Sequence, residues 1–215
     1  MLKILIAGAG GFGREVLTYA LDAIAAGRLD ATVAGFLDDT DPDLSPFGLD
    51  IGVVGRIDAY APADGEAVVV AIGNPAARAA VAAGLEQRGA RFVSVIHPLA
   101  WVAPTAQVGA GCIVAPFATV GPWAKIGRHV VINTHAGVGH DVVLGDAVEM
   151  APHAVCNGWT SLGPQVFVGS GAVLTARLEI GAGAKVAAGA VVYSRVPEGV
   201  TAMGNPARMM PLPKD

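Results

Sequence analysis

From Val102 onward every sixth position of the chain is apolar: Val102, Val108, Val114, Val120, Ile126, Ile132, Val138, Leu144, Met150, Cys156, Leu162, Val168, Leu174, Ile180, Val186 and Val192. Ile96 fits one step earlier, and Glu198 ends the run. A second column, four places further on, is small or aliphatic from Ala106 and Cys112 to Ala190 and Val196, with Thr160 its one hydroxyl. The position directly after each member of the first column is mostly Gly, Ala or Asn. Two coupled columns held over sixteen repeats predict a parallel β-helix, with three short strand-and-turn hexapeptides to each triangular coil. The aliphatic side chain points inward and stacks on its equivalent one coil away, at a strand spacing of about 4.8 Å. The Gly or Asn that follows is expected to supply the unusual φ/ψ of the turn. A Gly-rich antiparallel barrel would not hold a six-residue register without a slip. The same register predicts neighbours: His135 between Phe117 and His153, and Asp141 between Trp123 and Trp159.

The first part of the chain has no such period. Lys3–Ala7, Thr32–Leu37, Val68–Ile72 and Phe92–Ile96 read as strands, and the stretches from Arg14 to about Ala25 and from Pro75 to about Arg88 as helices. Strands alternating with helices predict a small parallel sheet. The chain therefore divides into a small α/β, Rossmann-like domain over residues 1–95 and a β-helix domain over residues 96–215, the latter ending in a C-terminal tail. Gly8, Gly10 and Gly13 fit the dinucleotide spacing, and Asp38 stands at the expected acidic position. Glycines there let a phosphate approach the N–H groups of a helix N-terminus. This mechanism serves a nucleotide sugar as well as NAD, and a full dinucleotide fold needs two βαβαβ halves. About 95 residues supply roughly one and a half, which disfavours NAD.

Composition narrows the picture. Hydrophobic residues make up 53% of the chain but aromatics only 6%, so the core is built from small side chains and is narrow. A net charge of -4 and a pI near 5.7 leave no basic footprint for nucleic acid. No Lys/Arg run marks an anionic membrane. Two Cys make no disulfide framework, and both Cys112 and Cys156 fall in inward columns, where burial keeps a thiol protonated. The apolar N-terminus breaks at Gly10, Gly11, Gly13, Arg14 and Glu15, and no apolar stretch reaches spanning length. A cytoplasmic location without membrane insertion is expected.

The order GAGGFGREV, FLDD, AIGNPAAR, IHPLAWVAP, hexapeptides and terminal GNPAR resembles the bacterial hexapeptide-repeat sugar acyltransferases. That family includes bacillosamine and perosamine N-acetyltransferases and sialic acid O-acetyltransferases. The most specific stretch is INTHAGVGHDVVLGD, Ile132–Asp146. The resemblance implies a left-handed parallel β-helix, a homotrimer, and acetyl-CoA bound in a groove between neighbouring β-helices, with no metal. It implies His140 as catalytic base, Asp141 beside it, and Asn133 as the third residue of the motif. It places coenzyme A near Gly158, Ser170 and Ala188, and a nucleotide-linked amino sugar on Gly10, Gly11, Phe12 and Gly13, near Asp38 and Asp39. Two positions depart from the pattern: Phe12 stands where the family often has His, and Glu149 where it has a second His.

Acyl transfer from a thioester needs a neutral nucleophile, a proton acceptor and support for the oxyanion. His suits the acceptor role near neutral pH, an adjacent carboxylate can orient its ring, and a backbone N–H from an adjacent coil or subunit can hold the oxyanion. The expected activity is direct N-acetylation of a nucleotide-linked amino sugar. O-acetylation of a sugar such as sialic acid is the nearest alternative, and a non-catalytic or metal-binding β-helix the next. His135 and His153 without a third ligand make a weak metal site.

Overall fold

In the computed structural model, residues 1–40 and 42–210 are described. The last five residues of the expected C-terminal tail lie outside them. The N-terminal part is a four-stranded parallel sheet of β1 (Leu2–Ala7), β2 (Ala31–Leu37), β3 (Val53–Gly55) and β4 (Glu66–Val70), in the order β3-β2-β1-β4. Helices α1 (Gly11–Ala25) and α2 (Pro75–Gln87) follow β1 and β4. Asn74 caps α2, its side chain accepting from the Ala77 N–H at 3.0 Å, with Pro75 at the first helical position, where the missing N–H costs nothing.

Two sequence expectations change here. β3 has only three residues, too short to show a period. The stretch Phe92–Ile96 is not a fourth strand of this sheet. Phe92 makes one isolated bridge to Val68, and Val95–Ile96 pairs in parallel with Ile113–Val114 as the first rung of the solenoid.

The rest is a parallel β-helix of two-residue rungs on three faces, each rung paired with the one eighteen residues on until the last coil, where Ile180 bridges Val196 and Lys185 pairs with Thr201, sixteen residues on. Both predicted columns are inside it, forming one cluster from Cys112 to Ala202. Thr160 is fully buried in the small column. Its hydroxyl donates to the Thr175 carbonyl at 3.0 Å and accepts from the Leu178 N–H at 3.2 Å, so its polar group is satisfied. The far end is closed by a hairpin in which Arg208–Met210 runs antiparallel to Thr201–Met203.

The turn chemistry differs from the expectation. The left-handed backbone falls three places after each inward aliphatic from Val108 to Val186, not one. Phe117, Trp123, His129, His135, Asp141, Ala147, His153, Trp159, Gln165 and Arg177 all have φ between 56° and 65°, a conformation that costs an L-residue roughly 1–2 kcal/mol. The glycine directly after the aliphatic serves close approach. A Cβ on Gly139, for example, would lie 2.8 Å from the Gly158 nitrogen on the next coil.

The outward positions explain how the two parts dock. Val95, Ile113, Ala115 and Val131 face out of the helix yet are buried, because they join one apolar cluster with Ile4, Ile6, Val16, Leu17 and Tyr19. Two polar anchors flank this cluster. His97 Nδ1 accepts from the Leu99 N–H at 3.1 Å, leaving Nε2–H to donate to Asp22 of α1 at 3.0 Å. On the other side, Arg78 of α2 is fully buried. Its Nε donates to the His129 carbonyl at 2.8 Å, Nη1 to Ile72 at 2.6 Å and Gly73 at 3.1 Å, and Nη2 to Ala147 at 3.0 Å and Val148 at 3.2 Å. These bonds use all five of its N–H groups.

Candidate active site

His140 and Asp141 form one corner of a coil. The left-handed backbone of Asp141, φ 58°, turns its carboxylate back beside the preceding imidazole. Asp141 Oδ2 lies 2.8 Å from His140 Nδ1. Asp141 is half-buried, while the His140 side chain is 55% exposed, so the ring is held from behind and open in front. With Nδ1–H donating to the carboxylate, Nε2 keeps a free lone pair.

The coil register builds the walls. Asp141 donates its N–H to the Pro122 carbonyl at 3.0 Å, and Trp159 donates to the His140 carbonyl at 3.2 Å, which sets Asp141 between Trp123 and Trp159 as the sequence predicts. Trp159 meets the imidazole edge-on, with centroids 6.0 Å apart, and Arg177 lies 5.6 Å over the Trp159 ring. Gly158 sits directly against the histidine. A Cβ there would lie 2.6 Å from both Cε1 and Nε2 of His140. Its N–H donates to no main-chain oxygen among the described residues. Pro116, Pro122, Pro152 and Pro164 occupy the same turn position elsewhere, as they can where the ladder asks for no donor.

The other predicted residues divide between corners. Asn133 lies one corner earlier, its Oδ1 accepting from the Thr134 N–H at 2.7 Å. The rung Gly137–Val138 separates it from His140, so one chain does not bring the two together. Exposed Ser170 and Ala188 continue the Asn133 corner, whereas buried Gly158 belongs to the His140 corner.

In the N-terminal domain, Gly10 is the N-cap of α1 and offers no side-chain cap. Gly11, Phe12 and Gly13 are already its first turn, which leaves their N–H groups unpaired within the helix. A Cβ on Gly13 would run into the Gly8 carbonyl. Phe12 is half-buried against the interdomain apolar cluster. Asp38 shapes the loop. Its Oδ2 accepts from the Ala9 N–H at 2.8 Å, and its Oδ1 from the Thr40 N–H at 2.8 Å and hydroxyl at 2.6 Å. Burial alone would raise its carboxyl, but these hydrogen bonds outweigh it and hold it below the ordinary value. Asp39 Oδ1 accepts from the Asp58 N–H at 3.1 Å, and the Asp39 carbonyl accepts from Arg56 at 2.9 Å.

Glu149 does not join the His140 corner. It is buried, 2.9 Å from Arg78 Nη1. All the arginine N–H groups point at carbonyls, so Glu149 Oε2 accepts no hydrogen bond and the pair is held by charge. Burial pushes Glu149 up to about 7 against the pull of Arg78. Arg78 is the residue that sequence reasoning missed, since nothing in AIGNPAAR marks one Arg as buried.

The fold and this corner define a hexapeptide-repeat transferase with an α/β domain in front. Residues 3–85 match the PglD N-terminal domain family. A histidine-to-asparagine variant of perosamine N-acetyltransferase from Caulobacter crescentus, solved in complex with CoA and GDP-perosamine, is 30% identical, with a TM-score of 0.85 over 97% of this chain and 96% of that one. The acetyltransferase domain of PglB from Neisseria gonorrhoeae, in complex with acetyl coenzyme A, is 31% identical, with a TM-score of 0.84 over 97% and 98%. WeeI from Acinetobacter baumannii is 34% identical, with a TM-score of 0.83 over 98% and 100%. No curated protein matches the sequence. The chain belongs to the PglD-like family of hexapeptide-repeat acetyltransferases.

Proposed function

We propose that this protein transfers the acetyl group of acetyl-CoA directly to the amine of a nucleotide-linked amino sugar, with His140 as general base. The observation that carries the reading is the His140–Asp141 pair, 2.8 Å apart at Nδ1, with Nε2 free beside Gly158. Nε2 takes the proton from the sugar amine as its nitrogen attacks the thioester carbonyl. Asp141 holds the productive tautomer and steadies the imidazolium. The spare Gly158 N–H supplies a donor for the oxyanion. Collapse of the tetrahedral intermediate expels the coenzyme A thiolate, which takes up the proton. No acyl-enzyme is needed, and both cysteines, raised by burial to about 11 for Cys112 and about 12 for Cys156, stay out of the chemistry.

The site takes residues from two chains of a homotrimer. His140 with Gly158 comes from one chain, and Asn133, Ser170, Ala188 and the Gly10–Gly13 loop from its neighbour. This supports a coenzyme A groove between β-helices and an acceptor held by Gly10, Gly11, Phe12 and Gly13. Asp38, through the Ala9 N–H, holds the loop in shape around it, with Asp39 beside it. No helix of the described residues is long and apolar enough to cross a membrane, and acetyl-CoA as donor fits a cytoplasmic location.

The test is thiol release from acetyl-CoA against UDP-, GDP- and dTDP-linked amino sugars, with His140→Ala beside the wild type. Turnover on an amino sugar, reduced about 10²- to 10⁴-fold in the variant, supports the reading. Turnover only on a hydroxyl acceptor moves it to O-acetylation, and absence of coenzyme A binding overturns it.

A further inference from the structure

On the corner that carries Asn133 and Ser170, the outermost residues of successive coils form a ladder of flat rings. Phe117 stacks on His135, with centroids 4.9 Å apart and planes 13° from parallel, and His135 stacks on His153 at 4.9 Å and 6°. All three hold left-handed backbone, with φ of 62°, 59° and 61°, at a position where glycine would be free of strain. The ladder then stops. The next two members of the column are Gly171 and Gly189, with φ of 66° and 68°, and a Cβ on either would meet nothing within 4 Å. The upper face of His153 is therefore bare beneath a gap two coils high, about 10 Å at the strand spacing. Ser170 and Ala188, one residue before each glycine, are small and exposed, and the Ser170 hydroxyl makes no hydrogen bond among the described residues.

Asp22 of α1 binds His97 at the first coil, and Val16, Leu17 and Tyr19, nearer the helix N-terminus, share one apolar cluster with Ile113, Ala115 and Val131 of the next two coils. Helix α1 thus lies along the face that leads into this corner, with its N-terminal glycine turn directed away from the first coil.

We propose that the bare face of His153 is a stacking subsite for a nucleobase, which continues the Phe117–His135–His153 ladder over Gly171, with the Ser170 hydroxyl at its edge. The inference rests on the reading above, in which two co-substrates carry a base: the adenine of coenzyme A and the base of the nucleotide sugar. The shared chemistry is a flat heteroaromatic ring, and the experiment separates the two sources.

The full-length protein is titrated calorimetrically with coenzyme A, with 4′-phosphopantetheine, which lacks the adenine, and with GDP and UDP. His153→Ala removes the platform. Gly171→His fills the gap with a residue type the column already accepts at 135 and 153, and His153→Phe restores a flat ring. His153→Ala and Gly171→His are each expected to weaken one nucleotide roughly 5- to 100-fold, the range of a single base–aromatic stack. His153→Phe is expected to stay within about threefold of wild type. Weakened coenzyme A with unchanged phosphopantetheine assigns the subsite to adenine, and weakened GDP or UDP assigns it to the acceptor's base. Unchanged affinities in folded variants, beside a wild type that binds both co-substrates, overturn the subsite and leave the proposed function standing. A wild type that binds none of the probes overturns both.

Discussion

In the proposed reaction Gly158 is the residue on which the geometry turns, because its missing side chain is the space the His140 ring occupies. Gly158→Ala is expected to swing the imidazole out and lower kcat about 10- to 100-fold, within the range of a displaced general base. The melting temperature should move by less than about 3 °C, because the three atoms nearest the new Cβ all belong to the exposed His140 ring, which can rotate away. Steady-state kinetics beside a thermal melt check this. Two buried titratable groups near Arg78 make a second prediction. Burial pushes His129 from 6.5 down to about 4, with Arg128 adding to the effect, so between those values the unfolded chain binds a proton that the folded chain refuses. Acid therefore removes stability through His129. Glu149 is raised from 4.5 to about 7, so in that window the folded chain keeps a proton that the unfolded chain has released. Acid therefore adds stability through Glu149. Each contribution is up to about 3 kcal/mol, and they oppose. Melting temperatures between pH 5 and 6.5 should be nearly flat in the wild type, rise with acid in His129→Phe and fall with acid in Glu149→Gln. The His140–Asp141 pair was legible in the sequence because its partners are adjacent. The contact of Gly158 with His140 was not, since it exists only once the coil closes.

At the scale of elements, the solenoid was readable almost to the residue. Its period repeats the same physical demand on every coil, an aliphatic inward and a small residue beside it, so each repeat confirms the last. The α/β domain was read more coarsely. β3 is three residues long, and the apolar run Phe92–Ile96 carries no mark of which sheet it will join. The turn glycines were assigned to the wrong cause, because strand crowding between coils and backbone conformation leave the same residue in the sequence. The join of α2 to the β-helix depends on Arg78, whose five donors are all spent on carbonyls from both parts. Arg78→Met is expected to strand those carbonyls and the Glu149 carboxylate, and to destabilise the protein by about 3–5 kcal/mol. Urea unfolding measures it, and a loss under about 1 kcal/mol, the scale of an exposed pair, would show that the contact does not hold the two parts together.

For the whole molecule, the separation of Asn133 and His140 onto different corners predicts complementation. His140→Ala and Asn133→Ala homo-oligomers should both be weak. Mixed oligomers formed by refolding them together should regain activity, because some sites then receive His140 from one chain and Asn133 from its neighbour. Activity no greater than the sum of the separate variants would place the whole site within one chain. The docking of the two parts also has a consequence for synthesis. Arg78 leaves the ribosome after Ile72 and Gly73 but before its solenoid partners exist, with the His129 carbonyl 51 residues later and that of Val148 70 residues later. Until that stretch emerges, the nascent α/β domain carries an unburied apolar face and an arginine with no carbonyls of the solenoid to receive it. The first coils of the β-helix, which need only the chain eighteen residues away, form on that waiting face and complete the domain made before them.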